Sequence, residues 1–130
     1  MSSSYYAGQM SECKTDIEDC EERIRKLEVD VAELGKLLTH TNDQRDLYDS
    51  EKLFHHNRNN SIATANPQAK FSRVFTPLFA ADLDGERHTK VTTAFSEAVE
   101  AVETELANRE TMLEDERTLL ESLENDLKSY

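Results

Sequence analysis

The chain has no tryptophan, only three glycines and two prolines, and only two cysteines in 130 residues. So few turn-formers leave little material for a sandwich or barrel, whose many short strands need many tight turns. Three glycines also make a phosphate-cradling loop hard to build, and no nucleophile elbow or Cys–His arrangement is present. The longest apolar run is a few residues, far short of the ~20 that span a bilayer, so no membrane insertion is expected. The opening Met1-Ser-Ser-Ser-Tyr-Tyr lacks the basic flank and apolar core of a cleavable signal peptide. A cytoplasmic chain is therefore expected; any export would need a signal of another kind, such as one carried by a partner. Positive charge is scarce too, with 15 Lys and Arg against 27 Asp and Glu and a net charge of -12. That balance repels nucleic-acid phosphates and anionic lipid head groups, so neither is an expected partner.

What is present is helix-forming material in a regular pattern. Apolar residues recur at alternating steps of four and three through Tyr6, Met10, Cys13, Ile17, Cys20, Ile24, Leu27, Val31, Leu34 and Leu38. This is a heptad repeat. The β-branched Ile17, Ile24 and Val31 share the a class and Leu27 and Leu34 the d class, a distribution that favours pairwise packing. Continued, the register reaches Thr41, Arg45, Tyr48 and Lys52, where the seam turns polar. A second seam follows Phe95, Val99, Val102, Leu106, Arg109, Leu113, Glu116, Leu120, Leu123, Leu127 and Tyr130, with Val91 one residue out of step. Met112 and Leu119 widen this stripe beyond what two helices use. The fold class expected is all-α, a long antiparallel helical hairpin or coiled coil with a short apolar tip, in one domain over residues 1–130. Its helices are expected at about 6–56 and 82–130, with a loop and tip at 57–81.

The loop rests on Asn57-Arg-Asn-Asn-Ser-Ile-Ala-Thr-Ala-Asn-Pro67, which is rich in turn residues and loses the periodicity. Phe71, Val74, Phe75, Leu78 and Phe79 then fall on one face of a short helix that Pro77 would kink or interrupt. Asp82 or Asp84 is the expected cap of the second long helix, with Glu86 in its first turn. Charge is segregated along the chain. Residues 1–51 carry 13 acidic and 6 basic groups, residues 52–90 carry 3 and 6, and residues 91–130 carry 11 and 3. The legs are acidic and the tip is basic, so a partner on the legs should be basic while one on the tip need not be.

Candidate chemistry is sparse, and no enzyme, cofactor or metal site is expected. His55 and His56 are adjacent and point apart on a helix, where metal ligands must converge. The carboxylates read as solvated helix faces. Asn59-Asn60-Ser61 matches a glycosylation sequon. Cys13 and Cys20 are either small seam residues or sites of a disulfide to a parallel partner; at ~10 Å along one helix they cannot bridge each other. Arg109 and Glu116 lie seven apart on the second seam, and either pair across to a partner and set register or sit at the edge of a rotated stripe.

Two helices alone bury few positions, so a homodimer or a heteromer with a helical partner is expected to supply the rest. The interface expected comprises Ile17, Ile24, Leu27, Val31, Leu34 and Leu38 on the first helix and Phe71, Phe75, Leu78 and Phe79 at the tip. On the second helix it comprises Phe95, Val102, Leu106, Leu113, Leu120, Leu123 and Leu127.

The order of long helix, turn with an apolar cluster, and second long helix resembles the WXG-type helical hairpins of type VII secretion systems. The layout is most similar to the small accessory partners of LXG toxins. Leu78-Phe79-Ala80 stands where that family has its aromatic-x-Gly turn, followed by Asp84-Gly-Glu-Arg87 and then Phe95. Leu78 replaces the tryptophan and Ala80 the glycine. No Phe or Tyr has an acidic residue four positions on, the spacing of the family's export signal. The resemblance implies a chaperone or targeting partner that packs against a toxin's helical N-terminal region and relies on its partner's signal. A homodimeric coiled-coil adaptor and a prefoldin-like chaperone subunit are the competing expectations.

Overall fold

The computed structural model of the chain describes residues 3–65 and 70–130, with the side chains of residues 3, 70–72 and 75 outside the description. Among the described residues only Gly85, Ser129 and Tyr130 lie outside a helix. The chain is all-α. Helix α1 spans Ser3–Ala65, α2 spans Lys70–Asp84 and α3 spans Glu86–Lys128.

Two expected boundaries lie elsewhere, and one expected interruption is absent. First, α1 does not end near His56 but runs on to Ala65, so residues 57–65 are helix rather than loop; Asn66 and Pro67 lie outside the described residues. Asn, Ser and Thr disfavour helices because their side chains compete for backbone partners. Here they bond within the helix or to its neighbour. Ser61 Oγ donates to the Asn57 carbonyl and Thr64 Oγ1 to that of Asn60, each at 2.9 Å, while Asn59 reaches across to α2. Second, α2 holds Pro77 in its interior and stays helical on both sides, so of the two effects expected of Pro77 the interruption does not occur. Third, Asp82 and Asp84 close α2 instead of opening the last helix, which begins at Glu86 after Gly85. The Gly85 N–H bonds the Asp82 carbonyl at 3.3 Å, and the Gly85 carbonyl accepts from Thr89 N–H at 3.2 Å. The two long helices are therefore unequal, 63 residues against 43.

The chain divides into two compact units, residues 1–36 with 103–130 and residues 37–102. In unit one, α1 and α3 run antiparallel around a core of Cys20, Ile24, Leu27 and Leu113, with Val31, Leu120 and Leu123 packed against it. Both cysteines are buried and free, and each thiol donates to a carbonyl of the opposite helix: Cys13 Sγ to Leu123 at 3.3 Å and Cys20 Sγ to Glu116 at 3.2 Å. Seven residues forward on α1 thus match seven residues back on α3. Burial pushes both thiols up from their ordinary pKa, aided by Asp126 and Asp16 at Cys13 and by the bond to Glu116 at Cys20. Cys20 is fully enclosed by its own helix pair, so a disulfide to a second chain would require that pair to separate.

Arg109 and Glu116 pair across the helices of unit one. Arg23 Nε meets Glu116 Oε1 at 3.1 Å and Arg109 Nη1 meets Asp30 Oδ2 at 3.7 Å, Arg109 also holding Glu105 at 2.8 Å. The sign alternates: cation on α1 against anion on α3, then the reverse one heptad away. A slip by one heptad would set Arg23 against Arg109, or Asp30 against Glu116. Like charges disfavour both shifts, so these two seam interruptions specify register.

Candidate functional site

Unit two is held differently. Its α1 segment runs antiparallel to α2 and the start of α3, fixed by Asn59 against Thr76, His56 against Asp84 and Tyr48 against His88. Among the described residues only Asn59, Thr76 and Val99 are buried here. The joints are polar. Asn59 Nδ2 donates to the Thr76 carbonyl at 3.0 Å, beside Pro77. The Thr76 hydroxyl, also buried, has no hydrogen-bond partner among the described residues. Because the Asn59 amide is buried and engaged, the sequon it heads is not presented to a glycosylating enzyme.

Asp84 Oδ1 receives both Lys52 Nζ and His56 Nε2 at 3.1 Å. The hydrogen bond from Lys52 is the main cause holding the Asp84 carboxyl below its ordinary pKa, and His56 adds to it. The carboxylate expected to cap a helix ties α2 to α1 instead. One turn away, the Tyr48 and His88 rings stack with centroids 5.7 Å apart, and the Tyr48 hydroxyl lies 3.0 Å from His88 Nδ1. Phe95 tilts against Tyr48 at 6.0 Å. Thus the polar continuation of the first seam, Tyr48 and Lys52, is matched by polar residues on the facing helices.

Beside these joints lies a groove. One part, of about 340 Å³, is lined by His55, Arg58, Asn59 and Ile62 of α1 and by Phe79, Asp82 and Leu83 of α2. The adjoining part, of about 200 Å³, takes Tyr48, Glu51, Lys52 and His55 from α1, shares Asp82 and Leu83, and is closed by Arg87 and His88 of α3. Both α1 sets follow i, i+3, i+4, i+7, so a single helix face forms one wall throughout. Among the described residues no three His, Cys, Asp or Glu side chains gather as metal ligands, and His55 and His56 point to different neighbours. No helix among them is long and apolar enough to cross a membrane.

The residues expected at an interface divide by unit. In unit one, Ile24, Leu27 and Leu113 are buried in the chain's own core, and Ile17, Val31, Leu34, Leu106, Leu120, Leu123 and Leu127 are half-buried. In unit two, Leu38, Phe95 and Val102 are half-buried, whereas Leu78 and Phe79 are exposed; the side chains of Phe71 and Phe75 lie outside the described residues. Leu47, Leu53, Phe54 and Val74, not among those expected, are also exposed.

These features define an all-α protein of antiparallel helices, with an aliphatic core cluster in one unit and polar joints beside a groove in the other. No model of a known protein family, no curated protein and no solved structure matches the chain.

Proposed function

We propose that this chain is a non-enzymatic helical protein-binding module whose second unit is completed by another polypeptide. The observation that carries the proposal is the contrast inside unit two: its three buried described residues include no side chain larger than valine among the hydrophobes, while Leu47, Leu53, Phe54, Val74, Leu78 and Phe79 are 45–61% exposed. Exposed apolar side chains in such number, beside so little core, mark a surface that another protein covers. By the type VII resemblance, the partner is the helical N-terminal region of an LXG-type toxin, and the chain is its chaperone or targeting partner.

Site-specific photo-cross-linking tests this. Phe54 or Leu78 is replaced in turn by photoreactive benzoylphenylalanine in cells of the natural host, with Thr118 as control, and the products are identified by mass spectrometry. Cross-links from the two unit-two positions to one helical polypeptide, absent from the control, are expected. Cross-links to a second copy of this chain would replace the proposal with a homodimeric adaptor, and no cross-linked product would overturn it.

A further inference from the structure

We infer that the groove of unit two receives an amphipathic helix of about four turns whose carboxylates meet Arg58 and Arg87. This deepens the protein-binding proposal and rests on it. The groove follows one α1 face from Tyr48 to Ile62, which at 1.5 Å per residue is roughly 20 Å, or four turns of a partner helix. Ile62, Phe79 and Leu83 supply apolar wall at one end, where a helix laid in a groove seats its i, i+3, i+4 and i+7 anchors.

Charge selects the occupant. Lys52 and His56 are occupied by Asp84, but Arg58 and Arg87 make no ion pair or hydrogen bond among the described residues. Glu51 and Asp82 also line the groove, so the partner's carboxylates belong at the two arginine ends rather than along its whole length. The setting reinforces this: residues 52–90 form the one stretch with more basic than acidic groups, flanked by legs that repel an acidic helix. What the groove offers an acidic amphipathic helix is therefore local: two arginines free to meet its carboxylates at contact, where the legs offer mostly carboxylates.

The probe is a display library of sixteen-residue helices with randomised faces, selected on the full-length protein. Enriched helices are expected to carry an apolar stripe with carboxylates two to three turns apart, and to lose at least tenfold in affinity against R58E/R87E. That variant alters only exposed, unpaired side chains, and its circular dichroism should match the parent. Phe79→Ser should weaken the same helices. Binders that are neutral or basic, or that ignore the charge reversal, would overturn the inference while leaving the protein-binding proposal standing. A library that yields no binder would overturn it as well, and the cross-linking experiment decides the broader proposal independently. If selected helices lose to a second copy of this chain, seen as a dimer that R58E/R87E abolishes, the groove's occupant is the chain itself and the inference also falls.

Discussion

Replacing a helical glycine by alanine ordinarily stabilises a protein, yet two glycines of this chain should respond with opposite sign. Gly35 lies inside α1, and a methyl group added there would meet no heavy atom within 4 Å. The substitution removes glycine's excess backbone entropy in the unfolded chain and should gain about 0.5–1 kcal/mol. Gly85 joins α2 to α3, and the same methyl would stand 2.8 Å from the Ala81 carbonyl oxygen and 3.6 Å from that of Asp82. Both are backbone atoms, which cannot swing aside as a flexible side chain would. The entropic gain is then outweighed by forced overpacking of about 1–3 kcal/mol, leaving a net loss of roughly 1–2 kcal/mol. For a chain of this size each kcal/mol moves the melting temperature by roughly 3–5 °C. Thermal melts followed by circular dichroism should show G35A above the parent and G85A below it. Amide exchange should place the change for G35A in unit one and for G85A in unit two. A melting temperature raised by G85A, or lowered by G35A, would refute the geometry assigned to the α2–α3 junction or the openness of α1 at residue 35.

The remaining predictions concern the seams and the polar joints. Leu27→Asp should cost roughly 3–5 kcal/mol, because it buries an uncompensated charge in the core, whereas Glu21→Gln on the exposed face should stay within about 0.5 kcal/mol; equal effects in urea titrations would show the register to be wrong. Thr76→Val should raise stability by about 1 kcal/mol, since it removes a buried hydroxyl without a partner, and a loss would reveal a bond to that hydroxyl. Arg23→Glu should lower the melting temperature and the further change Glu116→Arg should recover most of it, whereas recovery by neither arrangement would deny the pair a part in setting register. Glu116 is held below its ordinary pKa chiefly by the bond from Arg23, and Asp84 chiefly by that from Lys52. Depressed carboxylates stabilise the fold fully above their unfolded pKa of about 4, and that contribution is lost as pH falls through the lower folded values. Stability should therefore hold from pH 7 to about 5 and decline below about 4. Glu116→Gln and Asp84→Asn should each flatten that decline, and an unchanged acid limb in both would argue against the pairs.

Periodicity made the core of unit one legible, because Ile24, Leu27 and Leu113 recur on apolar seams while most positions off the seams are charged. The cysteines were legible as small seam residues, but their bonds to carbonyls of α3 were not, since these depend on the antiparallel register. The same holds for Arg109 and Glu116: spacing put them on one face, and only the facing helix supplied Asp30 and Arg23. Local preference alone ends α1 too early, because Asn57, Asn59, Asn60 and Ser61 are turn-formers. In the fold, Asn59 is buried against α2 and Ser61 bonds back one turn, so tertiary and intrahelical partners override that preference. The groove could not be anticipated once that end was misplaced. Its α1 wall needs helix as far as Ile62, and its other wall needs Asp82 and Leu83 at the close of α2 rather than at the opening of a later helix.

The seam chemistry changes along α1, and with it the way the two units are held together. Where the heptad carries Cys20, Ile24 and Leu27, packing is driven by burial, at about 1.5–3 kcal/mol for each large aliphatic side chain fully covered. Where it carries Tyr48, Lys52 and Asn59, the contacts include, besides the ring packing of Tyr48 on His88 and Phe95, hydrogen bonds and an ion pair whose groups were already satisfied by water in the open state. Such a bond contributes only about 0.5–1.5 kcal/mol net. Polar joints therefore fix which residues meet in unit two without holding it firmly shut, and its opening should require less free energy than that of unit one. The proposed partner helix would gain most where little burial is seen among the described residues, and the exposed Leu53, Phe54, Leu78 and Phe79 lie in that unit. For the binding proposed above, the hydrogen bonds made by Asn59, Lys52 and Tyr48 preset the position of the groove's walls, which would lower the ordering cost.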